Sequence, residues 1–208
     1  MKNIIKALAL TIALLFSVSM LFSCGVEYTD DEVKAAAEKL IEASGEINDI
    51  YFGKGLPISS EDSEEAKKFA EDNGVDLQNI QFLPVTAESP YQSIDDIKEG
   101  TAKVYSAEYC EYLYSMAFEG YSVDNGAAAV FAKYIEDDKG VLTARIDLAD
   151  HPLPERTYDY KTMKVKSRKK DSVMVEMESY LNGEKEEGTV TFTLVLSEDG
   201  WRLDSPTY

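Results

Sequence analysis

The spacing of apolar and polar positions changes along the chain, from a helical period to a strand period. Apolar residues first recur every three or four positions, at Val33, Ala37, Leu40, Ile41, Ile47 and Tyr51. This spacing is typical of one face of an α-helix. From residue 158 onwards apolar and polar residues alternate, and a period of two is typical of half-buried strands. The pattern therefore predicts helices followed by an antiparallel sheet.

Helix-start signals divide the first part of the chain. Thr29 with Glu32 has the sequence of a capping box, in which each side chain bonds the backbone amide of the other residue, and it opens the first helix. Ser60, Ser93 and Ser106 are the expected caps of three further helices. These helices are predicted over 61–72, 94–105 and 107–117. We expect the last two to form a helix pair or one kinked helix.

Six strands are predicted after the helices, beyond a loop at 118–127. They cover 130–135, 141–146, 158–168, 172–181, 188–196 and 201–205. The first two flank the turn EDDKG, whose composition suits a hairpin. Their register stays open, because either Phe131 and Ile135 or Val130 and Tyr134 face the core.

One set of registers matches apolar with apolar residues across the last four strands. Its central row places Val165 opposite Val175, Val175 opposite Leu194, and Leu194 opposite Leu203. A different pairing along this row would contradict the predicted registers. The neighbouring rows are Met163–Met177–Phe192 and Ser167–Val173–Leu196–Trp201. The result is a meander with one dry and one wet face. Since only the helices can cover the dry face, the predicted fold class is α+β, with N-terminal helices packed on one face of a curved antiparallel sheet.

The order of elements and the closing stretch EDGWRLDSPTY resemble the NTF2-like (cystatin-like) α+β fold, over residues 29–208. In DGWRLD a turn glycine precedes Trp201 and Leu203, which are expected to point inward. The stretches SIDDIKEGTAKVYSAEYCEYLY, KYIEDDKGVLTARID and GWRLD are also similar to secreted inhibitors of bacterial cell-wall DL-endopeptidases. This second resemblance implies inhibition of a cell-wall peptidase, and it assigns no functional residue.

The N-terminus has the composition of a secretory signal. Lys2 and Lys6 precede an uncharged apolar run over 7–22, and LFSC follows. A cysteine after Leu and Ser resembles the lipobox of bacterial lipoproteins, although Phe22 stands where a small residue is usual. The resemblance implies a signal peptide at 1–23, a lipid on Cys24 and a tether at 24–29. Residues 30–208 then form one domain.

Three alternatives for this segment stay open. An apolar run of about 20 residues is long enough to be an uncleaved transmembrane anchor. The chain is a plain secreted protein if cleavage occurs nearby without lipidation. Cys24 and Cys110 are the only cysteines, and a disulfide between them is excluded if the sulfur of Cys24 carries a lipid. Cys110 lies in an apolar helical stretch and is expected to be a small core residue.

Charge limits the partners of the mature chain. The 21 basic residues of the whole sequence include the two lysines of the signal, so 19 remain against 39 acidic residues, a net charge of −20. Such a surface repels nucleic acid phosphates and anionic lipid headgroups. We therefore expect no nucleic-acid partner, and we expect the lipid on Cys24 to hold the protein at the membrane.

His151 is the single histidine, and it lies in DLADHPLPER near Asp147, Asp150 and Glu155. A histidine beside carboxylates suits general acid–base catalysis, and enzymes of the NTF2-like fold often use such pairs in a cone-shaped pocket. The stretch is Pro-rich and polar, which favours a solvated loop. A small enzyme using His151 is therefore an alternative, and a non-catalytic protein is the prediction.

Metal and cofactor sites are not indicated by the sequence. One histidine without a mature-chain cysteine pair does not support a zinc site of nitrogen and sulfur ligands. The acidic clusters lack the spacing of a calcium loop; they lie at 30–32, 61–65 and 136–138. Solvated faces and helix starts explain them, with a weak cation site at 136–138 left open. No cofactor is predicted.

Two features suggest contact surfaces. Tyr105, Tyr109 and Tyr112 lie on one helical stripe, and with Trp201 they line a ligand pocket over the sheet or, alternatively, fill the core. Residues 161–170 hold six of the 19 mature basic residues. Within this cationic hairpin tip, the candidate partner contacts are Lys166, Arg168, Lys169 and Lys170. The alternative is that these lysines protect an exposed strand from pairing with other chains.

The predicted function is that of a lipid-anchored extracytoplasmic binding protein of the bacterial cell envelope. It is expected on the outer face of the cell membrane, where it binds an envelope protein or a small ligand without catalysis. Inhibition of cell-wall DL-endopeptidases and a small NTF2-like enzyme using His151 are the alternatives.

Overall fold

The computed structural model describes residues 28–123, 128–148 and 152–208, and these combine four α-helices with antiparallel sheets. The helices are α1 Asp30–Tyr51, α2 Glu64–Asn73, α3 Ile94–Ala102 and α4 Ala107–Tyr114. A π-helical turn, Ser115–Glu119, continues α4, and short 3₁₀ turns lie at Leu77–Asn79 and Ile146–Leu148. The predicted α+β class is confirmed.

Ten strands follow or interrupt these helices in the described part of the chain. They are β1 Phe82–Pro84, β2 Tyr121–Val123, β3 Ala128–Val130, β4 Tyr134–Glu136, β5 Leu142–Arg145, β6 Arg156–Arg168, β7 Ser172–Leu181, β8 Glu184–Lys185, β9 Val190–Ser197 and β10 Gly200–Leu203. The main sheet has the order β10–β9–β7–β6, with β8 paired to β7. A three-stranded sheet, β1–β5–β4, and the β2–β3 hairpin complete the set.

Helix α1 forms as the sequence predicts. The Glu32 amide donates to Thr29 Oγ1 at 3.3 Å, and the Thr29 amide donates to Glu32 Oε2 at 2.8 Å, which completes the capping box. The predicted apolar stripe is buried: Val33, Ala37, Leu40, Ile41, Ile47 and Tyr51. This stripe packs on the main sheet, where α1 lies against β6, β7 and β10.

The start of α2 differs from the prediction. The helix begins at Glu64, and its cap is Ser63, whose Oγ accepts from the Ala66 amide at 3.0 Å. Ser60 is not the cap, because its carbonyl accepts from the Ser63 amide at 3.0 Å and closes a turn ahead of the helix. Gly74 ends α2 in the left-handed region, with φ 65°.

Helices α3 and α4 form a pair, as one of the two predicted arrangements has it. α3 ends at Ala102, short of Tyr105, because the backbone at 104–106 pairs with the sheet instead. The Leu203 amide donates to the Val104 carbonyl at 2.9 Å, and the Ser106 amide donates to the Leu203 carbonyl at 2.8 Å. Tertiary pairing therefore outweighs helical propensity here, and it also covers the β10 edge of the sheet.

The predicted register of the main sheet is right in part beside β6 and wrong beside β9. Val165 pairs with Val175 and Leu194 with Leu203, as predicted. Val175, however, pairs with Phe192, and Leu194 pairs with Val173, so the β7–β9 pairing is shifted by two residues. The predicted neighbouring rows fail with it, since Met177 pairs with Val190 and, beyond a bulge in β6, Ser167 pairs with Met174. Trp201 pairs with Leu196, as predicted.

The physical reason for the shift is a tight turn at Asn182 and Gly183. These residues have φ values of 51° and 81°, and Leu181 pairs directly with Glu184 across them. The hairpin closes on this two-residue turn, whereas the prediction centred it on the whole loop NGEKEE. The tight turn alone would shift the pairing by four residues, and the irregular stretch before β9, where Gly188 has φ 82°, restores two of them, so the net shift is two. Because a shift of two keeps every side chain on its face, the dry face survives. Its buried members are Met163, Val173, Val175, Met177, Phe192, Leu194 and Leu203.

The small sheet settles the register that the sequence leaves open. Tyr134 pairs with Ala144 and is fully buried, whereas Phe131 is 56 % exposed and Ile135 is 36 % exposed. The loop predicted over 118–127 is wrong at its centre, since β2 forms there and pairs with β3, Tyr121 opposite Val130.

Candidate functional site

The tyrosine stripe of α4 runs from the core to the surface. Tyr105 is 1 % exposed, and its hydroxyl donates to Asn48 Oδ1 at 2.7 Å. The ring of Tyr109 lies 4.8 Å from that of Tyr105, and Tyr112 follows at 5.9 Å with 51 % of its surface exposed. Trp201 is half-buried and meets Tyr28 edge-on, at 5.3 Å between centroids. The structure thus groups the three tyrosines and places Tyr105 within the core.

A buried cluster of polar side chains fastens the C-terminal stretch to α1. Thr207 Oγ1 lies 2.6 Å from Ser44 Oγ, 2.8 Å from Asn48 Nδ2 and 3.0 Å from Tyr105 Oη. The Tyr158 hydroxyl donates to the Thr207 carbonyl at 2.6 Å. All these groups satisfy one another away from water. Sequence reasoning missed the cluster, because its members are ordinary residues up to 163 positions apart.

A cleft of about 310 Å³ opens beside this cluster, between α1 and the start of β6. Its lining consists of Ile41, Glu42, Ser44, Gly45, Arg156, Thr157, Tyr158, Tyr160 and Thr207. The volume lies at the lower end of the range for small-molecule sites, ~300–1,000 Å³. Gly45 leaves the α1 surface uncovered at this point of the cleft, because a Cβ there would meet nothing within 4 Å.

The two ends of the cleft differ in charge. Burial first, and then the nearby carboxylates of Glu42 and Glu38, raises the pKa of Tyr160 to about 12. The region over this ring is therefore negative. At the other end the Arg156 guanidinium is bound to Glu186 at 2.9 Å and 3.1 Å and donates to the Tyr208 carbonyl at 2.7 Å. The acidic aromatic end is suited to a positively charged group.

The cationic hairpin tip is partly engaged within the protein. The Arg168 guanidinium donates to the Tyr28 carbonyl at 3.0 Å and pairs with Asp30. Lys166 Nζ lies 2.9 Å from Glu176. Lys169 and Lys170 are exposed in the turn that follows. Of the four predicted contact residues, two therefore serve internal ion pairs.

Lys133 is a buried cation that the sequence did not single out. The residue is 5 % exposed, and its Nζ donates to the Gly53 carbonyl at 3.0 Å, just beyond the end of α1. Burial lowers the pKa of Lys133 to about 8. A cation at a helix C-terminus is favourable electrostatically, and it explains how the ammonium is accommodated. KYIEDDKG gives no local signal for this role.

Other predicted features are distributed differently. Cys24, the signal peptide and His151 lie outside the described residues. Cys110 is 3 % exposed, and burial raises the pKa of its thiol. Across residues 28–123, 128–148 and 152–208, no three or more His, Cys, Asp or Glu side chains are grouped to hold a metal ion. No helix of the same ranges has the length and apolarity to cross a membrane.

Comparison of the sequence with protein-family models gives no match. Comparison with curated proteins gives no match either. Inferences about function therefore rest on the residues and on the geometry of the cleft and the hairpin tip.

Proposed function

We propose that this protein is a lipid-anchored binding protein of the bacterial cell envelope, held on the extracytoplasmic face of the membrane through Cys24. Its domain at 30–208 is of the NTF2-like (cystatin-like) type and binds its ligand without catalysis. The signal-like composition of residues 1–23 and the lipobox resemblance at Cys24 support the anchor. The order of elements, with α1 packed across the meander, supports the fold type.

The cleft between α1 and β6 is the observation that carries the binding role. It combines Ile41 and two tyrosine rings with polar and charged side chains, and the carboxylates of Glu42 and Glu38 lie near the Tyr160 ring. Aromatic faces beside a few placed charged groups can fix the orientation of a small ligand. Tyrosine faces attract cations, and the net charge of −20 concentrates cations near the surface. The ligand is therefore a small molecule that carries a positive charge.

Gly45 offers a test that leaves the backbone unstrained. Gly45→Phe fills the cleft with a ring, whereas Gly45→Ala leaves most of its volume and serves as the matched control. The measurement is the thermal midpoint of the mature chain with choline, lysine and spermidine as probes, since a ligand that binds the native state raises it.

We expect at least one probe to stabilise the wild type and the Gly45→Ala variant but not the Gly45→Phe variant. Equal stabilisation of all three proteins would place binding elsewhere. Stabilisation of none of them by any cationic probe would contradict the ligand class.

A further inference from the structure

The turn between β6 and β7 carries exposed lysines on a protein whose net charge is strongly negative. Lys169 and Lys170 are exposed there, beside Asp171. Two acids close to the tip are engaged in ion pairs, because Asp30 pairs with Arg168 and Glu176 pairs with Lys166. Asp171 and the neighbouring turn at 198–199 add exposed carboxylates at this end of the sheet. The mature chain carries 39 acidic residues against 19 basic ones once the two signal lysines are removed from 21. Lys169 and Lys170 are therefore exposed cations on a strongly acidic protein.

The same tip holds the start of the domain. Arg168 binds both the Tyr28 carbonyl and the Asp30 carboxylate, and the Tyr28 ring packs edge-on against Trp201. Tyr28 follows Cys24 by four positions, and a chain of that length spans at most about 14 Å. A lipid on Cys24 thus keeps the hairpin tip close to the membrane surface.

The opposite end of the sheet lies far from that point. Strand β7 runs for ten residues from Ser172 to Leu181, which corresponds to about 30 Å at the usual rise of a strand. Arg156 pairs with Leu181 at this far end. The cleft, which Arg156 lines, therefore lies toward the far end of the sheet.

We propose that the turn at 169–171 is the membrane-facing surface of the protein and that Lys169 and Lys170 contact anionic lipid headgroups. The inference rests on the lipid anchor proposed above. Basic side chains near a bilayer are attracted by anionic lipids, while the acidic body is repelled. The acids that oppose the contact are Asp31, Glu32, Asp171, Glu198 and Asp199. The long lysine side chains extend their charge further from the backbone than these carboxylates do. In this orientation the cleft lies on the side of the domain that is farther from the membrane.

The test places a fluorophore at either end of strand β7 in the full-length, membrane-extracted protein. Asp171→Cys labels the tip and Glu184→Cys labels the far end, and each variant removes one negative charge from an exposed residue. Cys110 is buried and does not react. The proteins are reconstituted into vesicles of phosphatidylcholine with or without phosphatidylglycerol, together with a lipid that carries a quencher on its headgroup.

We expect selective quenching of the label at 171 in vesicles containing phosphatidylglycerol, with loss of that selectivity in a Lys169→Gln, Lys170→Gln double variant. Equal quenching at 171 and 184 in membrane-bound protein would overturn the orientation alone. Quenching at 171 that depends neither on phosphatidylglycerol nor on the two lysines would overturn the headgroup contact. A chain that is never recovered with membranes would instead refute the anchor, and this orientation with it.

Discussion

The guanidinium of Arg168, near the end of β6, is paired with the carboxylate of Asp30, the first residue of α1, although 138 positions separate them. The same side chain binds the Tyr28 carbonyl at 3.0 Å. One residue of the sheet therefore fixes the point at which the chain enters the domain. Any tether before Tyr28 has its origin at this corner of the fold.

Arg168→Ala should loosen the entry point without unfolding the domain. The pair is partly exposed, with 37 % and 61 % of the two side chains accessible, and such pairs contribute about 1 kcal/mol or less. We expect faster hydrogen exchange over the first turn of α1 and altered fluorescence of Trp201, which Tyr28 contacts. Lys170→Ala is the control and should leave both unchanged. Unaltered exchange in Arg168→Ala would show that the capping box alone holds the helix start.

Thr207→Val should be strongly destabilising for an isosteric change. It removes the hydroxyl that Ser44, Asn48 and Tyr105 share. Ser44 keeps its bond to the Ile41 carbonyl and Tyr105 keeps its bond to Asn48 Oδ1, so Asn48 Nδ2 is the buried group that loses its partner. Such a group costs about 1–3 kcal/mol, and we expect a loss of that size in urea unfolding. Thr189→Val, the same change at an exposed residue just before β9, should cost little. Similar losses in both variants would contradict a structural role for the cluster.

Two glycine-to-alanine changes should have opposite effects on the free energy of unfolding. At Gly45, in the middle of α1, a Cβ meets nothing within 4 Å, and alanine favours the helix by about 0.5–1 kcal/mol. At Gly55 the backbone has φ +78°, and a Cβ would lie 2.8 Å from Tyr134 Oη. Chemical denaturation of the two variants checks the signs. A destabilised Gly45→Ala would mean that the cleft wall is more crowded than the structure indicates.

The contribution of Lys133 to stability should rise between pH 8 and pH 10. Its pKa is lowered by burial to about 8 in the folded state, against ~10.4 in an unfolded chain. At this residue the unfolded state binds more protons over this window, so its contribution to the free energy of unfolding increases with pH, by ~2 kcal/mol. Cys110 acts in the opposite sense, because burial raises the pKa of its thiol; the measurement is therefore the difference between wild type and Lys133→Met at each pH, with Lys170→Met, at an exposed residue, as the control. A difference that does not change with pH would contradict the burial of a charged ammonium.

Buried tyrosines should reduce stability as the pH rises through 10. Burial raises the pKa of Tyr51 and of Tyr134 well above the ordinary tyrosine value. Folded tyrosines then keep protons that the unfolded chain releases, so stability is lost as the pH rises. The free energy of unfolding, measured by urea titration at each pH, should therefore fall increasingly steeply through pH 10. An increase beyond that pH would contradict the burial of these hydroxyls.

Local signals were sufficient for much of the fold. The capping box at Thr29, the apolar stripe of α1 and the alternation in β7 and β9 each depend on neighbours in sequence, and each formed as predicted. Strand β8 was not predicted, because it lies within the stretch NGEKEE that was predicted to be a turn. The caps of α3 and α4 at Ser93 and Ser106 are equally local. The sheet faces were predictable because an error of two residues in register does not change them.

The predictions were wrong where distant residues or a competing local signal determine the structure. The turn at Asn182 and Gly183 is a recognisable hairpin signal, and weighing the whole loop instead shifted β9 by two residues. The end of α3 was unpredictable, since Val104 bonds a strand about 100 positions later. The cleft and the Thr207 cluster likewise join α1 to the end of the chain, and no spacing rule connects them.

The most direct test of the central claim is the mass of the N-terminal peptide of the protein, isolated from the membranes of a bacterium that expresses the full chain. The account predicts a peptide that begins at Cys24 and carries acyl chains, and a Cys24→Ser variant that remains uncleaved and unacylated. A peptide that begins at another residue, or an unmodified Cys24, would contradict the lipid anchor.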